Sequence, residues 1–187
     1  MNGLYSLRKA NFSVRLGAVL FMLVLGYSYL FAFLMVKQWA GLTPAKVAQT
    51  YVPPETVNES MLPNQSESST QSLDLGSMGE MVHQVDTQLL IQDSHIHIMI
   101  YAIVAALQTL IILGLDWSAP LRNTVITAAF GFGSLDFAGQ WLMKAGIGGF
   151  AWLTIASGWG MSLVYLTVLI GTLRAVLHRS PTVSTHA

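Results

Sequence analysis

No cysteine occurs among the 187 residues, which excludes disulfides, thiolate zinc sites, iron–sulfur clusters and a cysteine nucleophile. Any metal must therefore be held by nitrogen, oxygen or thioether ligands. Charge is also scarce. Charged residues make up 10% of the chain, against about 25% in a soluble domain. Nine basic and nine acidic side chains cancel, leaving no bulk charge to draw nucleic acid. A phosphate-binding glycine loop, a Ser-His-Asp order with supporting context, an HExxH step and an internal repeat are all missing. What is present is apolar: 53% of the residues are hydrophobic, a composition that belongs to integral membrane proteins. Several spans within 187 residues leave little room for an extramembrane catalytic domain, which points away from an enzyme.

Four apolar runs imply an all-α fold, an integral membrane four-helix bundle with a partly disordered external loop between the first and second spans. Residues 1–15 form a cytoplasmic N-terminus, because Arg8, Lys9 and Arg15 precede the first run. That run, 16–37, is longer than the apolar region of a signal peptide and ends without a small-residue cleavage site, so it reads as an uncleaved anchor. Residues 38–93 form the external loop. Within it, Thr43-Pro44-Ala45-Lys46 has the order of an N-cap followed by a first-turn proline, predicting a short helix through about Tyr51. The Pro/Ser/Gln/Asn-rich stretch Val52 to Ser72 cannot bury enough apolar surface to order itself. Met78 to Gln92 has the spacing of an amphipathic helix that lies on the membrane surface and runs into the second span, with His83 as an interfacial residue.

The second span is expected over 94–115, the third over 123–143 and the fourth over 150–173, with a cytoplasmic tail at 174–187. Asp116, Trp117, Pro120 and Arg122 form the inner turn, and Gly146, Gly148 and Gly149 the outer one. Arg8, Lys9, Arg15, Arg122, Arg174 and Arg179 then lie inside against Lys37, Lys46 and Lys144 outside. This bias puts both termini in the cytoplasm. Trp39, Trp141 and Trp152 fall near the outer interface and Trp117 near the inner one.

The chemistry-bearing step is Ser94-His95-Ile96-His97 at the mouth of the second span. Two imidazoles at a membrane–water boundary can bind metal, move protons or hold a porphyrin or quinone. On a regular helix, residues two apart point about 200° from one another, so both cannot chelate one ion; in an extended segment both can reach one site. Asp93 and Ser94 are good N-cap residues, so a helix start is expected there. One histidine would then face the bundle and the other water, headgroups or a neighbouring subunit. Ligation, a hydrogen-bonded interfacial pair and pH sensing all stay open.

Depth follows from the rise of about 1.5 Å per residue. His97 sits about 5 Å inside the outer surface, Asp136 about 10 Å and Gln140 about 4 Å below the exit of the third span. Thr154 and Ser157 lie at similar depths on the fourth. His97, Tyr101 and Gln108 share one helix face, and Asp136 and Gln140 share another. His97, Tyr101, Asp136, Gln140 and Ser157 are thus expected to converge on one outward-opening cavity. An intramembrane carboxylate costs about 2.5–3.5 kcal/mol on insertion scales, so Asp136 must be paired, neutralised or functional. Candidate cofactor-binding residues are His97, Tyr101, Asp136 and Gln140; candidate metal ligands are His95, His97 and Asp136, for copper or iron. Bis-histidine haem is disfavoured, because the first, third and fourth spans contain no histidine and His178 lies on the other side. Ala156/Gly160 and Ala129/Gly133 have small-xxx-small spacing, common in any membrane bundle. Asn58-Glu-Ser60 and Asn64-Gln-Ser66 match glycosylation sequons, which matter only in a eukaryotic secretory route.

Gly41-Leu42-Thr43-Pro44 after the first span, Ser94-His95-Ile96-His97 opening the second, Asp136 in the third and Ala151-Trp152-Leu153 at the start of the fourth occur in a telling order. The order resembles an uncharacterised family of small four-span bacterial inner-membrane proteins. The resemblance covers most of the chain except the Ser/Gln-rich loop. It implies a bacterial inner-membrane location and no known activity, and it centres the family on the outward His/Asp region.

Three roles are compatible with these features. The first is a non-catalytic subunit or assembly protein of a membrane electron-transfer complex, working in the bilayer within a membrane-protein complex or homo-oligomer. The second is a redox protein using His95, His97 and Asp136 for a metal, haem or quinol. The third is a small proton-coupled carrier, disfavoured by the absence of broken helices and by a single buried charge. The first is the leading expectation.

Overall fold

A computed structural model describes residues 5–53 and 85–177, and every regular element among them is helical. The stretch 54–84 and the segment after 177 lie outside the described residues, and with them His83, His178, both sequons and most of the expected Ser/Gln-rich loop.

Helix α1, Phe12–Trp39, starts where the Asn11 side chain accepts the Val14 N–H at 3.0 Å, satisfying one of the donors a helix start leaves open. Gly41, at φ +70°, turns the chain. Helix α2, Pro44–Tyr51, follows with Thr43 as N-cap and Pro44 in the first turn, as that four-residue order predicts. Val47 and Val52 of this segment bury against Met143 and Ala151, so α2 packs onto the ends of two later helices.

Helix α3, Thr87–Leu113, begins seven residues before the expected start of the second span. The cap is Asp86, whose side chain accepts the Leu89 N–H at 2.6 Å, and no glycine or proline interrupts the run from 87 to 113. Asp93 and Ser94 are therefore interior helix residues and not caps. Of the expected surface helix Met78 to Gln92, residues 87–92 are the first turns of α3.

Helix α4, Ala119–Lys144, takes Pro120 into its first turn, so the expected inner turn is shorter than Asp116 to Arg122. After Gly146, at φ +93°, a single 3-10 turn at Gly148–Phe150 leads into α5, Ala151–Leu177. Among the described residues three segments are long and apolar enough to cross a membrane: Phe12–Gln38, Thr87–Leu113 and Gly148–Leu177. Helix α4 is 26 residues long but falls short of the same apolarity.

The most extensive packing is α4 against α5, followed by α3 against α4, while α1 lies along α5. Within a bilayer, lipid is as apolar as leucine, so close backbone approach carries helix association. Gly139 faces Thr154 and Gly160 faces the Phe132 ring, which lets α4 and α5 approach. The main core gathers Met22, Ile112, Val125, Val164 and Val168 at one end of the helices. Leu7 joins it by donating its N–H to the Gly114 carbonyl at 2.7 Å. The Tyr165 hydroxyl donates to the Met22 carbonyl at 3.1 Å and ties α1 to α5. Beyond Tyr29, residues 30–38 of α1 are exposed on every side.

Candidate functional site

The polar residues gather at the end of the helices where α3 begins and α4 ends. His97, on α3, places Nδ1 2.9 Å from the Asp93 carbonyl oxygen and 3.0 Å from its carboxylate. With the Nδ1–H committed to Asp93, the second ring nitrogen is the one left to act. His97 and Tyr101 are both in ring contact with Phe137 of α4, at centroid distances of 6.4 and 5.8 Å. Tyr101 also lies over Gly133, where an added Cβ would meet it at 3.5 Å. These contacts fix the register between α3 and α4.

One turn from Phe137, the Gln140 amide donates to Asp136 Oδ2 at 3.1 Å. The Asp136 carboxylate lies within electrostatic reach of both His97 and Asp93. Gly139 against Thr154 and Phe132 against Gly160 fix the second register, between α4 and α5. Interpolation between the two puts Ser157 level with Asp136. Ser157 is 1% exposed, and among the described residues neither its hydroxyl nor that of Thr154 nor Gln140 Oε1 has a hydrogen-bond partner. Buried oxygens of this kind are normally satisfied by internal water.

Of the five residues expected to converge on one cavity, His97 and Tyr101 meet on Phe137, Asp136 and Gln140 form a separate bonded pair on the same helix, and Ser157 stands at the level of Asp136. His95 is not among them. It is exposed, because α3 runs unbroken through the histidine step and turns the two rings to opposite sides. Among the described residues no three His, Asp or Glu side chains gather as a metal shell. Gln108, whose amide nitrogen has no partner among the described residues and which is 3% exposed, lies three turns deeper than His97 on α3.

Sequence reasoning missed Tyr51. It ends α2 and lies close enough to feel the Asp136 and Asp93 carboxylates. Burial foremost, with those two charges adding to it, pushes the phenol up to about 12. Val47, Thr50 and Tyr51 form one face of the short helix, a pattern readable in retrospect from their three- and four-residue spacing. Also missed was the tie between Trp141 and Ser94, whose indole N–H donates to the hydroxyl at 2.9 Å. Lys144 adds a second link by donating to the Val85 carbonyl at 2.6 Å. Both clamp the end of α4 to the start of α3.

Comparison with known families bears on the whole helical region. Residues 41–182 match Aq_1264_TM, a transmembrane helical domain, and so well over half of the chain is covered. The chain belongs to this family. The Aq_1264_TM match runs from the turn before α2 through α5, so α1 precedes the shared domain. Membership together with three long apolar helices makes the protein a multi-pass membrane protein in a lipid bilayer. No curated protein and no solved structure matches the chain significantly.

Proposed function

We propose that the protein is a four-span helical bundle acting as a non-catalytic subunit of a membrane electron-transfer complex, where its Asp136 cluster holds and passes protons for a partner that carries the redox chemistry. The observation behind this reading is the half-buried carboxylate of Asp136, bonded to Gln140, within electrostatic reach of His97, and close to buried oxygens that have no partner among the described residues. A carboxylate, an imidazole and internal water make a proton path. A metal centre asks for ligands that converge, and His95 points away.

The reading of α4 as the fourth span rests on its length and on where its polar groups lie. At about 1.5 Å per residue, 26 residues exceed the hydrocarbon thickness. Arg122 and Lys144 stand near its two ends, and Asp136 is its single interior charge. Arg8, Lys9, Arg15, Arg122 and Arg174 cluster at one end of the helices, which supports a cytoplasmic placement of that end and of both termini. The His97–Asp136 end then faces outward. A quinol at the same place is the second reading, supported by the aromatic surroundings of Tyr101 and Phe137 beside His97.

The test is infrared titration of the protonated-carboxyl band in purified wild type and Asp136→Asn, with and without a short-chain quinone. Proton handling predicts a titrating band that Asp136→Asn removes and His97→Ala displaces. A carboxyl that keeps one protonation state between about pH 5 and 9, the range around histidine titration, sinks the reading. A band that shifts only when quinone is added favours the second one. Gentle extraction from the native membrane tests the subunit role: a protein that leaves the membrane alone under all mild conditions is not a subunit.

A further inference from the structure

At the opposite end of the helices lies a cavity of about 420 Å³ between the start of the chain, the α3–α4 turn and α5. Its polar lining is Arg8, Asp116, Thr167 and Arg174; Trp117, Leu121 and Ile170 supply apolar wall. Asp116 is already engaged. Its carboxylate lies 3.6 Å from Arg8 Nε and accepts the Ser6 hydroxyl at 3.3 Å. Arg174 has no hydrogen bond or ion pair among the described residues, although its guanidinium carries donors in a fork suited to phosphate. One residue past the cavity-lining Ala175, the Val176 carbonyl accepts from Arg15, whose buried Nε–H has no acceptor of its own among the described residues. Two guanidinium groups, Arg174 and Arg8, of which Arg8 is engaged only through Nε, therefore line a space that holds one engaged carboxylate, with Arg15 beside it.

We infer that this cavity binds the headgroup of an anionic phospholipid, with Arg174 as the principal phosphate contact and Arg8 as the second. The walls decide between a lipid and a free anion. Leu121, Ile170 and the Trp117 indole give apolar surface that a small hydrated anion leaves wet, whereas a glycerophosphate with the first acyl carbons covers it. Gly171 keeps that wall in place, since a Cβ there would stand 2.5 Å from the Trp117 ring. Basic pockets between helices at the membrane surface are suited to anionic headgroups, and the negative surface potential of an anionic leaflet attracts the basic residues that line them. The site is independent of the Asp136 cluster and of its proposed role.

The test is lipid retention by the full chain in detergent, read by native mass spectrometry with phosphatidylglycerol and phosphatidylcholine of identical acyl chains. Phosphatidylglycerol is expected to be retained about tenfold better, a ratio equal to about 1.4 kcal/mol, and Arg174→Gln to remove most of that preference. Arg122→Gln, at the same end but outside the cavity, should leave it unchanged. In the wild type, phosphatidylglycerol brominated near its headgroup should quench tryptophan emission more than the phosphatidylcholine equivalent, and Trp117→Phe should abolish the difference. This arm needs no Arg174 variant to fold. Equal retention of the two lipids overturns the inference, as does a loss with Arg122→Gln as large as with Arg174→Gln, which would mean diffuse surface charge. Displacement of the lipid by millimolar inorganic phosphate alone would mean a free-anion site and overturns the lipid assignment.

Discussion

Gly139→Ala is the sharpest perturbation of the packing that builds the polar cluster. A Cβ at position 139 would meet the Thr154 hydroxyl, and would stand 3.2 Å from the Thr154 backbone nitrogen and 3.4 Å from the Phe150 carbonyl oxygen. The hydroxyl can rotate away, but the backbone atoms cannot, so α5 has to move by a few tenths of an ångström. Overpacking of this kind costs about 1–3 kcal/mol. Alanine returns about 1 kcal/mol through its higher helix propensity, leaving a net destabilisation of about 0–2 kcal/mol. Gly131→Ala, on the same helix and with nothing within 4 Å of its Cβ, receives the propensity gain without the clash. The difference between the two variants, about 1–3 kcal/mol, is thus a measure of packing alone. Unfolding in mixed micelles with increasing SDS fraction, followed by circular dichroism, reads it. Adding Thr154→Ala to Gly139→Ala should recover only the hydroxyl part of the loss, a coupling that a double-mutant cycle isolates. Equal stability of Gly139→Ala and Gly131→Ala would refute the close α4–α5 approach, and with it the register that sets Ser157 level with Asp136.

Three further outcomes follow from particular contacts. Because the chain contains no cysteine, single cysteines at Ser118 and Ala145, flanking α4, should react with an impermeant maleimide from opposite sides of a sealed vesicle; labelling from one side alone would refute the fourth span. Ser94→Ala leaves the Trp141 indole N–H without its acceptor and should cost about 1 kcal/mol with a changed tryptophan emission, and unchanged stability would mean the bond contributes nothing. The Tyr51 phenol, raised to about 12 by burial, favours folding in its neutral form, so its contribution is complete below the free-phenol pKa near 10 and is lost as pH rises toward 12. A stability decline of about 2–3 kcal/mol over that interval should be visible in the wild type and absent in Tyr51→Phe; equal declines would place the titration on other groups.

Sequence reasoning reached the helices and much of the cluster for a definite physical reason. Apolar runs and turn residues are local signals, and Thr43-Pro44 capped a helix where that order predicts one. The start of α3 was misplaced because Asp93 and Ser94 have good capping chemistry, and chemistry alone does not say whether the residues before them are already helical. Asp86 is an equally good cap, and it satisfies the Leu89 N–H two turns earlier. That shift decides the fate of the histidine step. With helix on both sides, His95 and His97 keep their 200° separation, and the extended geometry that would let both reach one ion is gone.

The cluster was legible by depth because antiparallel neighbours of similar length put residues near the same membrane face at similar heights. What depth could not supply was azimuth and the identity of residues from outside the spans. Tyr51 arrives from a short helix whose docking depends on Val47 and Val52 finding Met143 and Ala151, a contact between segments far apart in the chain. The lower apolarity of α4 follows from the same packing. Gly133, Gly139 and Gln140 are buried against α3 and α5, and Gln140 holds Asp136; these residues lower the apolarity of the helix while facing its neighbours. A helix packed between two others needs lipid-compatible surface only on the sides it leaves open. On that argument, the polarity that sets α4 apart from the three more apolar segments is what a central helix carrying Asp136 should have, and the single-cysteine variants at 118 and 145 put the argument at risk.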